Sequence, residues 1–193
     1  GRLWSHFRKG RESASFEYNR EWLANPYRFA LEPLLPLADG TFHTTPGQSV
    51  FGAIGDSTPD RWGRILMRRA ELARARAANE SPRTLSELDY LLRVNDEARQ
   101  GALRFSQDGG QSFCAPPGAT PIPPLVNLSR LLHAADHFCR DDENAEDLRL
   151  LLAPGSSLGG ARPKASVKDK KGNLCIAKFP RHDDEYNVVA WEA

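Results

Sequence analysis

The stretch Gly155-Ser156-Ser157-Leu158-Gly159-Gly160-Ala161-Arg162-Pro163-Lys164 combines three glycines with two cations. Glycines let a backbone approach a ligand closely and offer amide N–H groups to phosphate oxygens. The segment therefore has the parts of an anion-binding loop. It is not a Walker loop, which needs Lys-Ser or Lys-Thr directly after its last glycine; here Ala161 follows Gly160. The dinucleotide-binding glycine pattern is absent too. Further on, Leu174, Ile176 and Lys178 fall on one face of a strand. A lysine ending an otherwise apolar face either snorkels to water or meets an anion. Glu192 follows Val188 by four residues and Val189 by three, on the helix face those valines would bury. Each part alone has a plainer explanation: a hairpin connection, a solvated lysine, an amphipathic helix with a solvated acid. Loop, strand lysine and helix glutamate in that order within forty residues point to a site that grips phosphate.

Other groupings carry less. His133 and His137 lie four apart on an expected helix, where two imidazoles can reach one metal, but no Glu follows His133 and no third ligand is evident. Arg61, Arg64, Arg68, Arg69, Arg74 and Arg76 make one helix strongly basic. With Asp60 and Glu71 interspersed and no aromatic interleaving, they read as a solvated face rather than a nucleic-acid face. No nucleophile elbow supports Ser-His-Asp chemistry.

The elements that would position the loop are legible by period. Residues 1–18 alternate around Arg8-Lys9-Gly10-Arg11 and suit a hairpin. Residues 21–23 suit a helical turn, and 29–37, broken by Pro33 and Pro36, an irregular or edge segment. Ser57-Thr58-Pro59-Asp60 is a start signal for a helix over about 60–78, with Trp62, Ile65, Leu66, Ala70, Ala73 and Ala77 near one face. A shorter helix is expected over 84–93, then a strand over 101–105 entering the turn Asp108-Gly109-Gly110. Residues 115–124 hold five prolines and read as a linker. Two helices follow, one from the cap Asn127 and one over about 143–152, both ending by Pro154-Gly155. The expected finish is glycine loop, a strand from Val167, a tight turn, a strand over 174–179, and a helix from about Asp184.

Composition bounds the setting. The 193 residues are 40% apolar and 26% charged, as in soluble globular proteins, with a net charge of +1 that favours neither nucleic acid nor an acidic membrane. No apolar run approaches the roughly 20 residues of a membrane span. Cys114, Cys139 and Cys175 are sparse and odd in number, which argues for reduced thiols and a cytoplasmic location. The first residues lack a methionine and a signal-peptide core and read as the middle of a strand, with further residues expected upstream.

The run 156–164, followed by Ile176-Ala177-Lys178-Phe179-Pro180 and Trp191-Glu192, resembles the HipA-like serine/threonine kinases, the toxins of two-component toxin–antitoxin modules. The likeness extends upstream through Leu34-Leu35-Pro36-Leu37, the run 58–64 (Thr-Pro-Asp-Arg-Trp-Gly-Arg), Leu91-Leu92-Arg93-Val94-Asn95-Asp96 and residues 101–105, and so covers nearly the whole chain in order. It departs from the family's pattern at Ile54-Gly55-Asp56-Ser57 and Asn95-Asp96-Glu97. The resemblance implies that Gly159, Gly160, Ala161, Arg162, Pro163 and Lys164 lie on nucleotide phosphates, that Lys178 contacts them, and that Glu192 pairs with Lys178. It implies that Ser157 can be autophosphorylated, expelling the loop. ATP and Mg²⁺ are the implied cofactors. A helix-turn-helix antitoxin-like protein is the implied partner, with DNA reached only through it and no membrane involved.

Phosphoryl transfer also needs a catalytic-loop Asp and a metal-binding acid. The family places both well beyond the lysine strand, and the resemblance matches no catalytic residue in this chain. The chain is therefore expected to be the N-terminal, inactive portion of such a kinase. The fold expected is α+β: an N-terminal subdomain over 1–114, a Pro-rich linker over 115–124, and helices plus the beginning of a kinase-like N-lobe over 125–193. The rival reading is a non-enzymatic interaction module that binds an antitoxin-like or regulatory partner.

Overall fold

Alternating apolar residues carry the chain into β1 (Arg2–Arg8) and β2 (Arg11–Glu17), an antiparallel pair with Leu3 opposite Phe16 and Phe7 opposite Glu12. Lys9 and Gly10 both take positive φ, 48° and 74°. This two-residue turn matches the strand twist. A short β3 (Thr41–His43) pairs with β2, so the sheet runs β1-β2-β3. The computed structural model describes residues 1–114, 122–155, 160–186 and 188–191.

Between β2 and β3 stand α1 (Arg20–Ala24) and the expected irregular segment 29–37. Its backbone groups have no ladder to satisfy them, and the Tyr18 hydroxyl serves instead. It donates to the Leu35 carbonyl at 2.8 Å and accepts from the Leu31 amide at 3.0 Å. Next come α2 (Gly52–Gly55), α3 (Arg61–Ala77) and α4 (Glu87–Arg93). Helix α4 starts later than its apolar pattern suggests because Ser86 and Asp89 form a capping box that fixes the first turn.

The strand expected over 101–105 does not form. Gly101 takes φ +84°. Arg104 turns aside to Asp96, and the Phe105 carbonyl accepts one bond, from the Cys114 amide at 2.7 Å, with no ladder beside it. Leu103 and Phe105 still pack against the first core, which explains their apolar pattern.

A turn of 3-10 helix over Leu125–Asn127 leads into α5 (Leu128–Cys139), then α6 (Ala145–Gly155), β4 (Lys164–Lys168), β5 (Leu174–Lys178) and α7 (Val188–Trp191). Strand β4 begins at Lys164 rather than Val167, and α7 begins later than Asp184. The Asp184 carboxylate is engaged by the Arg181 amide at 2.9 Å and by Arg162, which holds this stretch in a turn. Residues 122–124, the end of the Pro-rich stretch, lie against β4: Ile122 is buried, and the Pro123 carbonyl accepts from the Lys168 amide at 2.9 Å. No helix among the described residues is long and apolar enough to cross a membrane.

Helix α3 faces two cores. Trp62 and Leu66 join Leu131, Ala134, Ala135 and Phe138 of α5, Leu148 and Leu151 of α6, and Ala165, Val167 and Phe179. Met67, on its other side, meets Leu85, Tyr90 and Val94. A further cluster joins Phe16, Tyr18, Leu35, Phe51, Ile54 and Leu91. Each large side chain withdrawn this way contributes about 1.5–3 kcal/mol, so α3 is anchored independently on both sides.

Candidate functional site

The candidate loop meets the first turn of α3. Asp60 caps the helix, its Oδ1 accepting the Arg61 amide at 2.8 Å. Its Oδ2 accepts the Gly160 amide at 2.6 Å. The Trp62 amide, one of the N-terminal donors that an α-helix leaves without an internal partner, donates to the Gly160 carbonyl at 3.0 Å. The Trp62 indole N–H donates to the Lys164 carbonyl at 2.8 Å. The ring itself is buried edge-on against Phe138, with centroids 5.1 Å apart. Gly160 takes φ +81°, a conformation glycine adopts without strain. The Lys164 ammonium lies 2.7 Å from where a Cβ would stand at Gly160. The Gly160 and Arg61 amides hold the Asp60 carboxyl below its ordinary value, and Lys164 lowers it further.

Lys164 then faces Lys178. The two are directly opposite in the β4–β5 pair. The Pro163 carbonyl accepts from the Phe179 amide at 2.9 Å, and the Lys168 amide points away to Pro123. Alternation makes Lys164–Lys178 a non-hydrogen-bonded pair, the kind with Cα atoms about 4.5 Å apart and side chains closest. Both lysines project from the hairpin face that carries Leu174 and Ile176, which are 48% and 56% exposed. The opposite face, with Ala165 and Val167, enters the core. Neither lysine is without a partner.

Arg162 reaches the other way. Its Nη1 contacts both oxygens of Asp184 at 2.8 Å, and this bond, first among several causes, holds the Asp184 carboxyl below its usual range. A phosphate taken by Arg162 would share it with Asp184. Pro163 is buried and Ala161 exposed. The structure thus brings Gly160, Ala161, Arg162, Pro163, Lys164 and Lys178 into one neighbourhood. Gly159, Ser157 and Glu192 lie outside the described residues.

The chain matches no family model, no curated protein and no solved structure.

Two side chains central to this geometry were not expected at the site. Asp60 and Trp62 belong to the run 58–64, whose legible signal was a helix start, and a contact across a hundred positions has no local signature. Lys168 makes an ion pair with Glu97, a second link between hairpin and N-terminal half.

The histidine pair is ordered otherwise. The rings of His133 and His137 stand 4.1 Å apart, and His137 Nδ1 lies 3.0 Å from Asp147 Oδ2. Asp147 also accepts the Asn144 amide at 3.1 Å, so it serves the start of α6. Among the described residues no group of three or more His, Cys, Asp or Glu could hold a metal ion. A groove of about 400 Å³ between α5 and the segment after β5 is lined by His133, Asp136, Arg181 and His182, and none of the described loop or lysine candidates lines it.

Proposed function

We propose that this chain carries the phosphate-gripping part of a HipA-like, ATP-dependent serine/threonine protein kinase. The observation that carries the reading is the lysine pair: Lys164 and Lys178 stand directly opposite in adjacent strands, next to Gly160. Two ammoniums brought side by side at one end of a hairpin let an anion with several oxygens meet both. A triphosphate is the anion that a glycine-bearing loop next to paired ammoniums suits best, since backbone amides and point charges both favour phosphate oxygens. The residues proposed to hold it are Gly159, Gly160, Ala161, Arg162, Pro163, Lys164 and Lys178, with Glu192 as ion-pair partner of Lys178 and Ser157 as the modifiable serine. ATP is the proposed cofactor, with Mg²⁺ carried on its phosphates. The proposed setting is the cytoplasm, in keeping with Cys114, Cys139 and Cys175 all being free thiols.

Titration of this chain with MgATP, followed by amide NMR, tests the reading. Shifts at Gly160, Lys164 and Lys178 that saturate at millimolar ligand support it, and their absence refutes it. An affinity near −4 kcal/mol, about millimolar, is expected for one side of a cleft.

A second reading, a partner-binding module, has its own observation. Tyr27, Phe29 and Phe7 are 86%, 58% and 70% exposed in the N-terminal half, more aromatic surface than a solvated face requires. The proposed partner is a helix-turn-helix antitoxin-like protein. Loss of its binding on Tyr27→Ser and Phe29→Ser, with MgATP shifts unchanged, would separate the two functions.

A further inference from the structure

We infer that Asp60 is a positioning residue for the phosphate site, holding Gly160 on the first turn of α3 so that the Lys164 ammonium beside it is presented to a phosphate already in place. This rests on the nucleotide reading above and adds to it a residue far from the loop in sequence.

Three bonds from two residues converge on one short segment. Asp60 takes the Gly160 amide, the Trp62 amide takes the Gly160 carbonyl, and the Trp62 indole takes the Lys164 carbonyl. Gly160 is therefore held through both of its backbone groups. The platform is rigid: α3 is 17 residues long, and Trp62 is 3% exposed within the core. The Asp60 carboxylate divides its oxygens, Oδ1 to the helix and Oδ2 to the loop, so it ties the two together rather than serving either alone. Gly160 sits at positive φ, where a free glycine samples many other states. Fixing that choice beforehand removes the ordering cost from ligand binding.

The division of oxygens makes a clean variant available. Asparagine caps helices as well as aspartate, but it has one oxygen and an NH₂. In Asp60→Asn the oxygen can serve Arg61 or Gly160, and the other amide meets a donor. The helix keeps its cap while the loop loses its charged acceptor.

Wild type, Asp60→Asn and Asp60→Ser are compared in three measurements: thermal midpoint, exchange of the Gly160 amide, and MgATP titration. Asp60→Asn is expected to stay folded with a modestly lower midpoint, exchange the Gly160 amide faster, and bind MgATP about tenfold more weakly, as for a loop competent a tenth of the time. Its Lys178 shift at saturation should equal that of wild type, because Asp60 does not touch the ligand. Should Asp60→Asn unfold the chain, Asp60→Ser, a shorter cap that reaches Arg61 alone, is read in its place. Faster Gly160 exchange with unchanged affinity overturns the inference and leaves the nucleotide reading standing. So does tighter binding, which would make Asp60 a stand-in for phosphate rather than a support. A wild-type chain without saturable shifts overturns the nucleotide reading, and this inference with it.

Discussion

The Gly160 amide donates to Asp60 Oδ2 at 2.6 Å, joining the candidate loop to the start of a helix one hundred residues earlier. The two residues sit on different elements, and the bond places the loop's last glycine beside the cap of α3. It also makes the run 58–64 and the run 156–164 a single structural unit at its described end.

Trp62 should be the most sensitive position in that unit. Trp62→Phe keeps most of the ring packing against Phe138 but leaves the Lys164 carbonyl without its donor, at a cost of about 1–3 kcal/mol. Trp62→Ala should cost about 3–5 kcal/mol through the cavity it opens. Urea unfolding of the two variants measures both. A Trp62→Phe variant as stable as wild type would mean that the indole N–H contributes nothing.

The lysine pair predicts a loss of binding without a loss of fold. Replacing Lys178 by Met removes one of the two facing ammoniums and keeps an unbranched side chain of similar length, so the chain should still fold, as a thermal melt checks. MgATP shifts at Gly160 should disappear in the same variant. Added salt should weaken wild-type binding, because screened charges attract phosphate less. Binding that is insensitive to salt would remove the ammoniums from the site.

Arg64 ties α3 to α4 and to the chain before it. Its guanidinium reaches both Glu87 oxygens at 2.6 and 2.7 Å, and its Nε donates to the Pro59 carbonyl at 2.8 Å. Both side chains are under a third exposed. Glu87→Gln should therefore cost about 1 kcal/mol, the upper end for a partly screened pair. A thermal melt decides it, and a midpoint equal to wild type would show the pair to be energetically idle.

Carboxylates held in their charged form set an acid limit, Asp60 and Asp184 among them. Asp60 and Asp184 are both held below the ordinary value of 3.8 in the folded chain. A depressed folded pKa means that the unfolded chain binds protons more readily, so these groups add stability above the unfolded value and lose it as pH falls through the folded one. From them, urea midpoints should be level between neutral pH and about 5 and decline below about 4. Asp184→Asn should show a shallower decline than wild type. An identical acid limb would mean that Arg162 gives Asp184 no preference for its charged form.

The outward hairpin face should tolerate polarity. Ile176 is 56% exposed and outside the cores, so Ile176→Thr should change stability by less than about 0.5 kcal/mol. A large loss on denaturation would place Ile176 in a contact beyond the described residues.

Local chemistry alone determined much of this chain. The turn at Lys9 and Gly10, the start of α3 at Asp60, the long period of α3 and the β4–β5 turn are decided by residues within a few positions of one another, and all were legible in order and type. The α+β class follows from them. What failed was also local in cause: Gly101 to Phe105 has strand composition, but a strand exists only beside a partner, and Arg104 is bound to Asp96 instead. The apolar residues of α3 announced a buried face without saying what buries it. Only the tertiary structure gave Trp62 to α5 and α6, and Met67 to α4. The same holds at the candidate site. The glycines and Lys178 announce themselves by type, whereas Asp60 is an ordinary helix cap until the fold brings Gly160 to its second oxygen. A carboxylate has two acceptors, one used within its own turn. Which donor reaches the other depends on packing a hundred residues away.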